Sequence, residues 1–349
     1  MEIALPLLKA AGGLVIILAG CELFTNGIEW VGCRLNLSQG AVGSVLAAVG
    51  TALPETLVPI VAIVFIGGEK AHEIGIGGIL GAPFMLATLG FTITGAAGLL
   101  YAKRREHGAR MAVSTVTLGQ DLKYFVWVYA LAVASSPLLT WLDGRMGENS
   151  PMHTVVRVGV AIALVGAYLY YVWLHMTREE EGSEAENLCD LYFHRNCVGQ
   201  PRLRFILTQV VVALVAIFAG AHVFVSNLEH VATGLSISPL VLSIIVTPIA
   251  TELPEKFNSI LWMRQGKDTL ATGNITGAMV FQSCIPVAVG VTMTKWALNT
   301  PALASAVVAL VSGAIVYLYM RKTGHLSAKV LLLGLPLYVA WLFIAFGTN

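Results

Sequence analysis

The motif that decides the fold is Gly50-Thr51-Ala52-Leu53-Pro54-Glu55, which recurs 200 residues later as Ala250-Thr251-Glu252-Leu253-Pro254-Glu255. Two other segments recur in the same order. The sequence GCELFTNGIE at 20–29 is echoed by GAHVFVSNLE at 220–229, and GGILGA at 77–82 is echoed by GNITGA at 273–278. The last pair is offset by 196 residues, so the second copy is four residues shorter at that point. Three matching blocks in one order indicate an internal repeat.

The composition around these motifs is that of a membrane protein. Of 349 residues, 56% are hydrophobic and 12% are charged, and the mean hydropathy is +0.77. A soluble domain carries about 25% charged residues, so this chain lacks the charge to cover a surface that faces water. The formal net charge of +1 gives no bulk attraction to nucleic acid. We therefore expect the lipid bilayer as the surroundings and no nucleic-acid partner.

Ten apolar segments are long enough to cross a bilayer. The hydrocarbon core is about 30 Å thick and takes roughly 20 residues of helix, since only internally hydrogen-bonded backbone is stable there. The sequence thus predicts an all-α polytopic membrane protein with ten transmembrane helices. The predicted spans are Leu5–Val31, Gly40–Ile66, Ile74–Tyr101, Tyr124–Leu142, Val155–Met176, Phe205–Val231, Pro239–Met263, Thr269–Met293, Pro301–Met320 and Val330–Phe346.

A polar, glutamate-rich stretch separates five predicted spans from five. We expect a first five-helix repeat at 1–176, a hydrophilic linker at 177–204 and a second five-helix repeat at 205–349. Because each repeat has an odd number of spans, the second copy enters the membrane from the opposite side. Such inverted repeats are a recurring architecture of secondary transporters, with the substrate near the midplane.

The basic residues predict the orientation. Of the 21 lysines and arginines, 15 fall on the side of the linker and five on the other, and Lys256 lies inside a span. Since cytoplasmic loops carry the excess of positive charge, we expect a cytoplasmic linker and both termini outside, in a prokaryotic inner (plasma) membrane. The first apolar run has no basic leader before it and is predicted to be a retained helix.

Each copy of the motif carries a Pro-Glu pair near predicted mid-depth. A carboxylate there costs a few kcal/mol, so it is expected to face a polar cavity or a cation. Proline frees backbone carbonyls, and a threonine four residues before each glutamate shares its helix face. Carboxylate, hydroxyl and carbonyl oxygens suit Ca²⁺, Na⁺ or a proton. The predicted cation-binding residues are Glu55, Glu255, Thr51 and Thr251.

The doubled motif, together with 77–82, resembles the two alpha-repeats of the cation/calcium antiporter superfamily, which includes the sodium/calcium exchangers. The resemblance implies a secondary antiporter that exchanges Ca²⁺ for Na⁺ or H⁺ by alternating access. It also implies that Glu55 and Glu255 bind the transported Ca²⁺. Small inorganic ions are then the partners and cargo, and neither an enzymatic reaction nor a cofactor is expected.

The chain departs from the pattern of that family on its third and eighth spans. The family pattern there is Gly-Asn-x-x-Gly-Ser-Asn/Asp, whereas this chain has Ala82 and Pro83 in the first copy and Ala278 and Met279 in the second. Several expected oxygen ligands are therefore replaced. Three alternatives stay open: a different substrate ion, an altered coupling, or a membrane protein that does not transport. A membrane-embedded enzyme is disfavoured because the sequence has neither paired aspartates nor clustered histidines.

The seventh span gains polar residues that the second span lacks. Glu252, Lys256 and Asn258 stand where the first repeat has alanine, threonine and valine. Glu252 and Lys256 are spaced i, i+4 and can form an ion pair on one helix face. Two roles for Lys256 stay open: a tethered cation that replaces one bound ion, or a lysine that extends to the cytoplasmic interface. Further candidates for the ion pathway are Asn274, Gln282 and Ser283.

Overall fold

The computed structural model describes residues 3–34, 53–104, 108–147, 150–176, 190–194 and 201–347. These residues form helices almost throughout. The first half contains α1 (Ala4–Arg34), α2 (Leu53–Ile60, continued by the wider π-helical turn Val61–Ile66), α3 (Glu69–Met85, continued by the π-helical turn Leu86–Gly90), α4 (Phe91–Leu100), α5 (Thr115–Met146) and α6 (Pro151–Met176).

The second half contains α7 (Leu203–Leu235), α8 (Pro239–Thr251), α9 (Leu253–Arg264), α10 (Asp268–Met293), α11 (Thr300–Thr323), α12 (Ala328–Leu331) and α13 (Gly334–Gly347). Short 3₁₀ turns occur at Ala102–Arg104 and Tyr192–His194. Two short strands, β1 (Arg110–Met111) and β2 (Leu326–Ser327), pair antiparallel with Arg110 opposite Ser327.

Among the described residues, eight helical stretches are long and apolar enough to cross a membrane. Two shorter apolar helices, Pro54–Ile66 and Pro239–Ile249, lie within the predicted second and seventh spans. The all-helical polytopic membrane fold is therefore confirmed. The number of ten crossings and the inversion of the two repeats remain predictions.

Helices α1 and α7, the first helices of the two predicted repeats, pack along each other through glycines. A Cβ atom on Gly13 would lie 2.8 Å from the carbonyl oxygen of Gly220, and one on Gly220 would lie 2.7 Å from that of Gly13. In a membrane, where lipid is as apolar as the side chains, small residues favour helix association because they let two backbones approach closely. The two helices thus form one closely packed pair.

Helix α3 packs against α8 in the same way. A Cβ atom on Gly77 would lie 2.6 Å from the carbonyl oxygen of Leu240, and one on Gly81 would lie 2.7 Å from that of Ile244. The Ser243 hydroxyl also donates to the carbonyl of Ile74 at 2.7 Å. This contact brings the third and seventh predicted spans together around the polar motifs.

The larger hydrophobic core surrounds α3, α10 and α11. Phe84 stacks on Tyr338 and packs against Trp341, with ring centroids 5.4 Å and 4.7 Å apart. The buried indoles keep hydrogen bonds: Trp296 Nε1 donates to the carbonyl of Ala132 at 3.2 Å, and Trp341 Nε1 donates to that of Pro301 at 3.0 Å. Paired indole donors remove the cost of burying them.

Three predicted spans need correction. The fourth begins at Thr115 rather than Tyr124, because the Ser114 hydroxyl caps the helix by accepting from the Thr117 amide at 3.4 Å. The seventh is not one helix but α8 and α9, which meet at Glu252. The tenth is divided into α12 and α13. The segment 35–52 lies outside the described residues, and it includes residues 40–52 of the second predicted span.

The described part of the predicted linker rests on α1 and α7. The side chain of Gln209 is fully buried. Its Nε2 donates to the carbonyl of Leu23 at 2.8 Å and to Asn26 Oδ1 at 2.9 Å. Its Oε1 accepts from the amide of Phe193 at 3.0 Å, and the Tyr192 hydroxyl is 2.7 Å from Glu22 Oε1. The turn at 192–194 is thus held to both helices of the pair.

Candidate cation-binding site

The polar motif of the second half lies where the seventh predicted span is broken. Helix α8 contains Pro248 and ends at Thr251, and α9 has proline at its start. Between them Glu252 has φ −93° and ψ 9°. A proline inside a helix removes one backbone hydrogen bond, which explains why the chain bends here.

One motif glutamate lies at the start of a helix. Glu255 is in the first turn of α9, which begins directly after Glu252. Helix N-termini carry partial positive charge and favour a nearby carboxylate. Glu55 lies in α2, whose described part begins at Leu53.

The structure brings these glutamates together although they are 200 residues apart in sequence. Glu55, Glu252, Glu255 and Lys256 are between 0% and 6% exposed. Glu55 interacts electrostatically with both Glu252 and Glu255, and Cys21 of α1 interacts with Glu55 and Glu255. Three carboxylates and one ammonium thus share one closed region between α1, α2, α8 and α9.

Several carboxylate oxygens in this region have no hydrogen-bond partner among the described residues. These are both oxygens of Glu55, Oε1 of Glu252 and Oε2 of Glu255. A buried polar atom without a partner costs about 1–3 kcal/mol, and more when it is charged. Unpartnered buried oxygens on three neighbouring carboxylates are what a bound cation would satisfy.

The predicted ion pair on α8 and α9 is confirmed. Nζ of Lys256 lies 2.9 Å from Oε2 of Glu252 and 3.4 Å from the carbonyl oxygen of Pro248. The alternative in which Lys256 extends to the aqueous interface is wrong, because the residue is only 6% exposed. Its ammonium stays among the carboxylates.

Two further predicted residues lie at the same place. Thr251 is buried beside Glu55, and its hydroxyl donates to the carbonyl of Thr247 at 3.0 Å, so the oxygen can still accept or bind a cation. Asn274 of α10 donates to the backbone carbonyl of Glu255 at 3.5 Å. Both residues therefore border the glutamates.

The remaining predicted residues have different outcomes. Gln282 is buried near Glu252, and within the described residues its Oε1 has no partner. Ser283 donates to the carbonyl of Val280 in its own helix at 2.8 Å, and no contact with the glutamates is described for it. Thr51 and the side chain of Asn258 lie outside the described residues.

Apolar side chains occupy the positions where the resemblance leads us to expect oxygen ligands. Ala82 and Met279 are 1% and 0% exposed and belong to the hydrophobic core. Among the described residues no three histidine, cysteine or acidic side chains form a ready-made metal cage. A cation held by the carboxylates would need further oxygens from hydroxyls, backbone carbonyls or water.

Sequence reasoning missed a buried carboxylate outside this group of glutamates. Asp121 of α5 accepts from the hydroxyls of Tyr171 at 2.9 Å and Thr276 at 2.7 Å, and Nε2 of His175 lies 3.2 Å away. Both of its carboxylate oxygens accept hydrogen bonds, so Asp121 connects α5 to α6 and α10 within the protein. Its partners come from distant helices, and sequence spacing carries no signal for such contacts.

Comparison with known proteins shows the family of this chain. The family described as sodium/calcium exchanger protein matches residues 6–177 and 205–347. The chain belongs to the sodium/calcium exchanger family. The resemblance drawn from the doubled motif is thus confirmed for most of the length of this exchanger-family protein.

Named relatives and a solved structure support the family membership. The chain is 22% identical over 273 residues to the uncharacterized membrane protein MJ0091 of Methanocaldococcus jannaschii, covering 77% of this chain and 75% of that protein. It is 21% identical over 277 residues to the sodium/calcium exchanger MaX1 of Methanosarcina acetivorans, covering 77% of each. Its fold matches the crystal structure of the H⁺/Ca²⁺ exchanger CAX with a TM-score of 0.72 at 15% identity, over 97% of this chain and 82% of that one.

Proposed function

We propose that this exchanger-family protein is a secondary antiporter that binds Ca²⁺ between Glu55 and Glu255 and exchanges it for Na⁺ or H⁺. The observation that carries the proposal is the burial of these two glutamates, one from each half, near enough to interact electrostatically, with oxygens that have no partner among the described residues. No covalent chemistry is involved. Thr51 and Thr251 are proposed as further oxygen ligands beside them.

The electrostatics of the region favour a cation. Burying several carboxylates in low-dielectric surroundings costs several kcal/mol per charge unless opposite charge is present. Lys256 supplies one positive charge against three carboxylates. Ca²⁺ is a hard ion that takes 6–8 oxygen ligands, and the carboxylates, threonine hydroxyls, freed carbonyls and water are of the required type.

The names of related proteins support calcium as the transported ion and leave both Na⁺ and H⁺ as candidate coupling ions. MaX1 is a sodium/calcium exchanger by name, and CAX is an H⁺/Ca²⁺ exchanger. We propose that the repeats at 1–176 and 205–349 are inverted and provide the two related arrangements of alternating access. The closely packed pair α1 and α7 is proposed to rock against the rest of the protein.

The positive-inside rule sets the proposed orientation. With 15 of 21 lysines and arginines on the side of the segment 177–204, this linker is proposed to be cytoplasmic and both termini to lie outside. This placement can be tested with a cysteine introduced after Asn349. Labelling by an impermeant maleimide is compared in inner membrane vesicles of the two opposite orientations.

The test of function is ⁴⁵Ca²⁺ uptake into proteoliposomes with an outward Na⁺ gradient, an outward H⁺ gradient or neither. We expect uptake under one of the two gradients only. E55Q and E255Q should abolish it, whereas the matched variant E69Q, at an exposed glutamate of α3, should retain it. Retention of uptake in both E55Q and E255Q contradicts the site assignment.

A second candidate function is exchange of a different cation, which the apolar side chains of Ala82 and Met279 favour. Fewer side-chain oxygens would leave more of the coordination to water and carbonyls. Competition of ⁴⁵Ca²⁺ uptake by Na⁺, K⁺, Mg²⁺, Mn²⁺ and Sr²⁺ separates the two candidates. Absence of calcium uptake together with gradient-driven uptake of another ion would favour this second one.

A further inference from the structure

The site described above is asymmetric in charge. Glu252 and Lys256 of the second half correspond to Ala52 and Thr56 of the first, at the same offset of 200 residues that relates Glu55 to Glu255. The ion pair therefore occurs in one repeat only. A structural ion pair needed by the fold of each repeat would be expected in both.

The ammonium of Lys256 occupies surroundings of the kind that a small cation takes. Its ligands are a carboxylate oxygen at 2.9 Å and the carbonyl oxygen of Pro248 at 3.4 Å. That carbonyl lies at the break between α8 and α9 and also accepts the amide of Glu252 at 3.0 Å. In transporters with broken helices, such carbonyls coordinate the coupling cation.

Lys256 also interacts with the two glutamates that the proposed function assigns to calcium. Electrostatic interactions join its ammonium to Glu55 and to Glu255 as well as to Glu252. It is 6% exposed, so water screens these interactions little. The positive charge of Lys256 is thus part of the charge that the site presents to a mobile ion.

With all three carboxylates ionised, as binding of a cation requires, the formal charge of the three carboxylates and one ammonium is −2. The segment 35–52, which connects α1 to α2, contains no charged residue and does not alter this sum. A charge of −2 is neutralised by one divalent cation or by two monovalent cations. Without Lys256 the charge would be −3, and three monovalent cations would be required.

We propose that Lys256 is a resident cation of the transport site, fixed by Glu252, so that the protein exchanges one divalent cation for two monovalent cations without net charge movement. This inference rests on the proposed antiport function and specifies its coupling. Lys256 acts here as a determinant of stoichiometry and carries no ion itself.

The experiment measures the final accumulation of ⁴⁵Ca²⁺ in proteoliposomes at a fixed gradient of the coupling ion. The membrane potential is set with K⁺ and valinomycin to zero or to about 60 mV of either sign. One charge moved across 100 mV is worth about 2.3 kcal/mol, so one net charge per cycle changes the accumulation ratio about tenfold at 60 mV. An electroneutral cycle leaves that ratio unchanged.

We expect the ⁴⁵Ca²⁺ accumulation ratio of the wild type to be independent of the membrane potential. The accumulation ratio of K256M should change about tenfold at about 60 mV. The double variant E252Q/K256M removes one charge of each sign and restores −2, so its ratio should again be independent of potential. K70M is the matched control, since Lys70 is an exposed lysine paired with Glu229 at 3.5 Å. Its ratio should equal that of the wild type.

A wild-type accumulation that depends on potential overturns the inference, as does a K256M accumulation that does not. Where K256M fails to purify as a monodisperse protein, an accumulation by E252Q/K256M that depends on potential likewise overturns the inference, because its site charge is again −2. Absence of gradient-driven calcium accumulation in the wild type is a different result. It refutes the proposed antiport of calcium itself.

Discussion

Nζ of Lys256 lies 2.9 Å from Oε2 of Glu252, and both residues are buried at the junction of α8 and α9. The pair joins the end of one half-helix to the first turn of the next. Breaking a buried ion pair by replacing one partner costs about 3–5 kcal/mol, because the other partner keeps its charge and loses its hydrogen-bonded counter-charge.

A double-mutant cycle should therefore show strong coupling between these two residues. We expect E252Q and K256M each to lower the thermal midpoint in detergent. We expect E252Q/K256M to lower it by clearly less than the sum of the two single effects, because the double variant leaves neither member of this ion pair without the other. Additive effects would contradict a direct interaction between the two side chains.

Calcium binding is predicted to stabilise the folded protein through Glu55 and Glu255. A ligand at 100 times its dissociation constant stabilises the state that binds it by about 2.7 kcal/mol. The wild type should show a higher thermal midpoint in saturating Ca²⁺, and E55Q and E255Q should not respond. Because each substitution removes a buried carboxylate with at least one oxygen that has no partner among the described residues, neither variant should be less stable than the wild type without calcium.

The positions of the two site glutamates are predictable from sequence because an internal repeat marks them and a charge inside an apolar span demands an explanation. The break at Glu252 has a local signal as well, since prolines lie on both sides of it. The proximity of Cys21 to both glutamates has no such signal. It arises from the packing of α1 against the site, and the hydrophobic periodicity of the sequence does not indicate which helices pack together.

The start of α5 shows a different reason for a wrong prediction. Asp121 and Lys123 interrupt the apolar run and favour a later start at Tyr124, yet the helix begins at Thr115. Asp121 is tolerated because two hydroxyls on other helices satisfy its oxygens. Whether a charge ends a span depends on such partners, which only the tertiary structure supplies.

The Asp121 network is expected to matter for stability and not for the number of ions exchanged. The Tyr171 hydroxyl donates to Asp121 Oδ1 at 2.9 Å, so Y171F should lower the free energy of unfolding by about 1–2 kcal/mol. Y170F is the matched control, since Tyr170 is 53% exposed. Equal thermal midpoints for Y171F and Y170F would show that this hydrogen bond contributes nothing measurable.

The contact between α1 and α7 leads to the last prediction. A Cβ atom on Gly13 would lie 2.8 Å from both the carbonyl oxygen of Gly220 and the amide nitrogen of Phe224, so G13A must push the two backbones apart. Overpacking of this kind costs about 1–3 kcal/mol.

The adjacent Gly12 has no atom of the described residues within 4 Å of its Cβ position and provides the matched control. G12A should keep or slightly raise the thermal midpoint, because alanine favours a helix over glycine by about 1 kcal/mol. If α1 and α7 move together during transport, G13A should also slow gradient-driven ⁴⁵Ca²⁺ uptake relative to G12A at equal protein content. A midpoint for G13A equal to that of G12A would mean that the two helices are not held together by this glycine contact.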